Sequence, residues 1–411
     1  MYMTSLNFLI GNLMIIKFQK SKIISTIYIA TYLLYSCSFL LASTSGSIFT
    51  DIFPKIETIV ISMLTLLCIV LLLKGINFGK TLMFIFAFFI IIASIHYHVL
   101  SKSLLIIYLF ILSYPAMLGS RKIAKFTSIV VMLMIILVVL LCGIGLLPNR
   151  SFIQHGVLRY SLGFTSPNAF ANIVTITVMN GLIGFAEELD KKRLYYISCL
   201  LLIILIMIYK VTNSRAALIF GILSILGTIF SYNYGIKLNK SIFFYSMPVI
   251  SFLFGMLISI FSIIYANSNN IDSTLYNKLE VLFSGRFRYM LYAYDTYGAK
   301  WFGNKVEFVS YNMSQLSNGK VKWFGIDNSY MYIMICYGIV AIIGMLMLYI
   351  ITSYMAFKMN NTYIVIYLSI IALWGLSENI MINIAMNMSL LVFADYIMNG
   401  VKKNSVIRVS S

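Results

Sequence analysis

The sequence predicts an all-α, polytopic membrane protein of about twelve transmembrane helices, with one long extracytoplasmic loop containing amphipathic helices. Two observations predict the class. Hydrophobic residues make up 61% of the 411 and charged residues only 10%, against roughly 25% charged in a soluble domain. Apolar runs recur from Ile24 to Asn399, and runs of about 17–25 residues cross a hydrocarbon core about 30 Å thick. A third observation, the uneven distribution of Lys and Arg among the loops, orients the bundle.

In chain order, residues 1–20 ("MYMTSLNFLIGNLMIIKFQK") read as a short interfacial segment. No short apolar core followed by a small-residue cleavage site marks a signal peptide. Spans are expected at approximately 24–43, 56–73, 81–98, 103–118, 126–147, 168–186, 194–209, 215–233, 241–265, 328–355, 361–376 and 379–398. The loop 266–327 separates the ninth from the tenth. In it, Leu275, Leu279 and Leu282, then Phe287, Leu291 and Tyr294, keep helical spacing on either side of Gly285, as amphipathic helices over the membrane surface or the bundle would. Residues 1–411 form a single integral membrane domain.

With both termini cytoplasmic, 17 of the 30 Lys and Arg residues fall on the inner side. The short outer segments hold six: Lys55, Lys102, Arg150, Arg159, Lys210 and Arg215. The other seven lie in the long loop, which the positive-inside rule largely exempts. The net charge of +18 therefore reflects basic loops beside anionic lipid, not a nucleic-acid partner. Cys37, Cys68, Cys142, Cys199 and Cys336 all fall inside apolar runs and read as small core residues. With His96, His98 and His155 the only histidines, and no HExxH or Walker-type loop, neither a metal centre nor a nucleotide-driven engine is expected. No cofactor is expected.

Four stretches stand out. "RYSLGFTSPNAFAN" (159–172) closes an outer loop, 148–167, that carries Arg150, His155 and Arg159. Pro167 disfavours helix at Ser166, and Asn168 suits the cap of the following span. A helix start directed outward favours an anion; an ordinary cap explains Ser166 to Asn168 equally well but gives Arg159 no role. "VTNSRAALIFG" (211–221) puts Arg215 at the outer edge of the eighth span, where it either snorkels or meets a ligand. "SGRFRYMLYAYDTYGAKWFGNK" (284–305) holds Arg286 and Arg288. Residues two apart on a helix diverge by about 200°, so only one faces a common ligand. Arg288 shares a face with Tyr292 and Asp295, which leaves Arg286 for the substrate side. "GIDNSYMYI" (325–333) and "WGLSENIMI" (374–382) place Asp327, Asn328, Ser377 and Glu378 at outer ends of spans. They read either as caps or as carboxylates able to accept a proton.

Taken in order, "RYSLGFTSPNAFA", "TNSRAAL", "SGRF", "IDNSYMYIMICYGIV" and "GLSEN" resemble the O-antigen and capsular polysaccharide repeat-unit polymerases, which share a membrane glycosyltransferase superfamily with the O-antigen ligases. The resemblance covers roughly 159–382. Family members often carry His-Pro-Asn where this chain has Ser166-Pro167-Asn168, a departure that removes a histidine from that position.

The resemblance implies a bacterial cytoplasmic membrane enzyme. It would join undecaprenyl-pyrophosphate-linked oligosaccharides on the outer face into capsule, exopolysaccharide or O-antigen. Membrane lipids, a chain-length regulator and the flippase of the same pathway are the implied partners. Under it, Arg159, Arg215 and Arg286 converge on the pyrophosphate, with Asn168, Arg288 and His155 also at the substrate, and Glu378 or Asp327 assists the attacking hydroxyl. Tyr289, Tyr292, Tyr294, Tyr297 and Trp301 would offer faces to sugar rings. A ligase-like transferase with another acceptor, and a flippase or carrier, remain the competing expectations.

Overall fold

The computed structural model describes residues 2–73, 91–92, 95, 101–115, 118–154, 156–238, 240–267, 277–278, 281, 286–309 and 324–399. The chain is mostly helical. In order it forms α1 (Tyr2–Ala42), α2 (Ser47–Leu73), α3 (Lys102–Leu112) and α4 (Ser120–Gly143). A hairpin of β1 (Ser151–Gln154) and β2 (Val157–Tyr160) follows, then α5 (Pro167–Phe185), α6 (Lys191–Thr212), α7 (Arg215–Leu238) and α8 (Ile242–Asn267). The last elements are α9 (Arg286–Tyr297), α10 (Ser329–Tyr332), a π-helical turn (Ile333–Tyr337), α11 (Ile339–Lys358), α12 (Thr362–Trp374) and α13 (Ser389–Asn399). Among the described residues, eight helices are long and apolar enough to cross a membrane. The expected third span, 81–98, lies almost wholly outside the described residues, as do His96 and His98.

α5 is the central helix. Burial covers 72% of its apolar window, against 17% for the peripheral α6. It packs against α4, α6, α7 and α12. The bonds of Arg159 to Thr212 and Asn168 and of Arg286 to Asp327 gather the hairpin, the start of α5, the end of α6, α9 and the segment before α10 at one end of the bundle, called here the hairpin end. At the other end Arg121 pairs with Glu187 and Lys125 with Glu188.

The structure revises several of the expected bounds. Residues 2–20 are helical and continuous with the first span: α1 runs unbroken from Tyr2, and its membrane-crossing stretch is Lys22–Ala42. The fourth span stops at Leu112, three residues ahead of Pro115. The loop 148–167 contains a short hairpin. Phe152, Ile153, Val157 and Leu158 favour strand, and the hairpin pairs Gln154 with Val157 and Phe152 with Arg159, with Gly156 at φ 75° just ahead of β2.

The tenth span is broken. Its π turn ends at Gly338 (φ 92°), where the 300–303 segment crosses so closely that a Cβ would stand 2.3 Å from the Trp301 carbonyl oxygen. The carbonyls of Lys300 and Trp301 accept from the first free amides of α11, Ile339 and Val340. The twelfth span is also not continuous: 375–388 is irregular and only Ser389–Asn399 is helical.

Irregular backbone inside an apolar bundle must find internal partners. Here Asn387 Nδ2 donates to the carbonyls of Ile380 and Met381, both at 3.0 Å, and Asn180 Nδ2 donates to that of Met386 at 2.8 Å. Tyr32 Oη donates to the Ile384 carbonyl at 2.8 Å, and Tyr367 Oη accepts from the Met388 amide at 2.9 Å.

Candidate functional site

At the hairpin end two arginines and two carboxylates meet. β2 alternates faces, and of its four residues only Arg159 is buried, at 7% exposure. Its Nε donates to the Thr212 carbonyl at the end of α6, 2.5 Å away, and its Nη2 donates to Asn168 Oδ1. Asn168 is not the cap. Ser166 caps α5, its Oγ accepting from the Ala169 amide at 3.1 Å, which leaves the Asn168 side chain for Arg159.

Arg286 opens α9, whose Phe287, Met290 and Ala293 form a buried stripe against α8 and the π turn. The guanidinium bridges both acids: Nε donates to Asp327 Oδ2 at 3.2 Å and Nη2 to Glu378 Oε1 at 2.5 Å. The Arg286 and Glu378 side chains are 12% and 10% exposed, that of Asp327 39%.

The two acids are held by the segments that carry them. Asn328, next to Asp327, caps α10: Oδ1 accepts from the Met331 amide at 2.9 Å, while Nδ2 donates to Ser259 Oγ and to the Leu376 carbonyl. Ser329 Oγ donates to the Glu378 carbonyl at 2.7 Å and accepts from the amides of Ile380 and Met381. The Asp-Asn-Ser tripeptide therefore supplies one carboxylate and clamps the backbone that presents the other. Ser377 caps no helix, because none begins there.

Burial raises the Glu378 carboxyl to about 7. Arg286 is the main opposing influence, Asp327 adds to the rise, and Asn172 and Arg159 pull it down. Burial also lowers the Arg286 guanidinium, but Glu378 and then Asp327 outweigh it and the net shift is upward. Arg159 moves the other way, lowered first by burial and then by Arg286. With all four groups ionised, two cations balance two anions; protonating Glu378 leaves one net positive charge.

The expected residues divide accordingly. Arg159, Asn168, Arg286, Asp327 and Glu378 come together. Arg215 does not join them. It is exposed at the start of α7, three residues past the carbonyl that Arg159 binds, with no hydrogen bond or ion pair to the described residues. Arg288 stands with Tyr292 and Asp295 on the exposed face of α9. His155, Leu275, Leu279 and Leu282 lie outside the described residues.

Both buried guanidiniums already hold oxygen acceptors, so the carboxylates are partners of Arg286 and not separate bases beside a bare cationic clamp. An anionic ligand entering here exchanges with a carboxylate. Asn172 and Ser329 belong to the site and were not singled out from sequence. The i, i+4 spacing of Asn168 and Asn172 in "PNAFAN" was the available signal for the first. Among the described residues, no group of three His, Cys, Asp or Glu side chains converges as a metal site would require.

Fold and site together define a class: a multi-pass helical membrane protein with an arginine–carboxylate cluster buried at one end of its bundle. Comparison of the chain with protein-family models, with characterised proteins and with solved structures finds no match.

Proposed function

We propose that this chain is a membrane glycosyltransferase that polymerises undecaprenyl-pyrophosphate-linked oligosaccharide repeat units on the outer face of the bacterial cytoplasmic membrane. About twelve crossings, cytoplasmic termini and an outward hairpin end complete the reading. The observation that carries it is the ion-paired cluster of Arg286 with Asp327 and Glu378, with Arg159 near enough to influence Arg286 and Glu378. Two guanidiniums suit a diphosphate through planar, multidentate, permanently charged contacts, and a carboxyl titrating near 7 suits a general base.

The diphosphate is a good leaving group, so positioning and charge stabilisation are the work left to the protein. In the proposed cycle Arg286 exchanges a carboxylate for a diphosphate oxygen. The freed Glu378 takes the proton of the attacking hydroxyl, whose oxygen bonds to the anomeric carbon as the lipid diphosphate departs. α9, which begins at Arg286 and packs against α8 and the π turn, carries Tyr289 and Tyr292, exposed for a sugar ring. A ligase-like transferase would use the same donor chemistry with a different acceptor.

One observation favours a second reading. The interrupted 375–388 segment and the broken α10–α11 unit are the kind of discontinuous helices found in carriers. Purified protein in liposomes, supplied only with lipid-linked repeat units, discriminates: glycan lengthening with release of lipid diphosphate supports the polymerase, and transbilayer movement of unchanged units supports the flippase. Attachment to a different added acceptor with no lengthening supports the ligase.

A further inference from the structure

The buried polar atoms at the hairpin end are unequally satisfied. Asn172 lies one turn along α5 from Asn168, on the same face of the helix, and it favours the ionised form of Glu378, as an amide N–H directed at the acid does. Its other end is an orphan: Oδ1 is buried and has no hydrogen-bond partner among the described residues. A buried acceptor without a donor is costly and needs an explanation. The groups facing Glu378 supply no relief. Arg286 is engaged by Asp327 and Glu378, and Arg159 by Thr212 and Asn168. Asp327 and ionised Glu378 are acceptors themselves. The cluster thus has a cationic half, Arg159 and Arg286, and an acceptor half, Glu378 and Asn172 Oδ1. An anion fits the first. The second requires a ligand that donates, and a neutral polyol does so through adjacent hydroxyls.

We infer that Asn172 is a substrate-positioning residue that binds an acceptor sugar through a vicinal pair of hydroxyls, one directed at Glu378 and its neighbour at Asn172 Oδ1. The inference rests on the glycosyl-transfer reading. In the step it serves, the proton of the first hydroxyl passes to a Glu378 carboxylate oxygen and the sugar oxygen's electron pair forms the bond to the anomeric carbon. The anomeric C–O bond breaks, and its electron pair leaves on the diphosphate. The second hydroxyl keeps its proton and fixes the ring's orientation, which makes Asn172 selective for acceptors bearing an adjacent hydroxyl.

The test uses the full-length protein with Asn172→Ala and Asn172→Asp. An infrared titration follows the carboxylic acid C=O band, identified as that of Glu378 by its loss in Glu378→Gln. Removing the amide donor is expected to move the midpoint up by about one to two pH units, the shift that loss of a hydrogen bond to a charged group produces. Asn172→Asp moves it further. With a soluble, lipid-free repeat unit as acceptor, Asn172→Ala raises KM at least about tenfold, while binding of a short-chain polyprenyl diphosphate stays within twofold of wild type. Substituting the acceptor's adjacent hydroxyl by hydrogen imposes the same KM penalty on wild type and almost none on Asn172→Ala. An unmoved midpoint overturns the inference, as does a parallel loss of diphosphate binding or an equal response of both proteins to the deoxy acceptor. If no glycosyl transfer occurs under any condition, the underlying reading fails, and the infrared arm still decides whether Asn172 governs Glu378.

Discussion

Removing Arg286 exposes the energetics of the cluster most clearly. Arg286→Ala strips Glu378 and Asp327 of their shared cation. The Asp327 side is 39% exposed, so water replaces most of what is lost, and exposed pairs contribute about 0–1 kcal/mol. The Glu378 side is different: both side chains are nearly buried, and breaking such a pair from one side costs about 3–5 kcal/mol while the remaining charge persists. Glu378 escapes part of that cost by taking a proton. Its carboxyl is already raised to about 7 by burial, and losing the strongest opposing influence raises it further.

The sign follows from linkage. A carboxyl whose folded value exceeds its unfolded one loses stability as pH climbs, until pH passes the folded value. In the wild-type protein that loss ends near 7. In Arg286→Ala it continues beyond 7, at about 1.4 kcal/mol per pH unit. Tm measured in detergent by scanning fluorimetry should therefore differ modestly between the two proteins at pH 6 and several degrees more at pH 8.5. The double variant Arg286→Ala/Glu378→Gln should recover most of the high-pH deficit. Equal deficits at both pH values, or a double variant no better than the single, would show that Glu378 is not the group Arg286 stabilises.

Glu378→Gln should reduce glycan lengthening by about 10²–10⁴-fold and remove an acid limb centred near pH 7; a limb unchanged in the variant assigns the base elsewhere. Arg159→Lys keeps the charge but not the fork that reaches Thr212 and Asn168 together, so kcat/KM for the lipid-linked donor should fall about 10–100-fold, and wild-type values would mean that charge alone suffices. Gly338→Ala forces a Cβ onto the Trp301 carbonyl at a left-handed φ and should lower Tm by several degrees, the φ alone costing about 1–3 kcal/mol; an unchanged Tm would mean the 300–303 crossing yields freely.

Local patterns in the chain carried the regular spans well. The expected 168–186 corresponds to Pro167–Phe185, because a Ser-Pro-Asn start and an unbroken apolar run are both near-neighbour signals. The last span was misread for the same reason. Hydropathy registers 379–398 as apolar, but the partners that let 375–388 leave the helix include Tyr32, Asn180 and Tyr367, as far as 352 residues away from the backbone group they satisfy. The cluster divides along the same line. Arg159 stood out in an outer loop ahead of an apolar run, Asp327 and Glu378 at the outer ends of spans, and Arg286 by helical spacing in the long loop, all of them sequence properties. That Arg286 joins Asp327, 41 residues on, and Glu378, 92 residues on, is a tertiary fact without a local trace. Helical angles did separate Arg286 from Arg288, since 200° of rotation needs no knowledge of neighbours. They had no bearing on Arg215, which is exposed at the first residue of α7.

The most direct measurement is ³¹P NMR of a short-chain polyprenyl diphosphate added to the purified protein in micelles. Wild-type protein and Arg288→Gln should both shift and broaden the two phosphorus resonances, while Arg159→Gln and Arg286→Gln should leave them close to those of the free lipid. Resonances untouched by wild-type protein, or perturbed equally by all four proteins, would contradict a diphosphate site at the Arg159–Arg286 cluster.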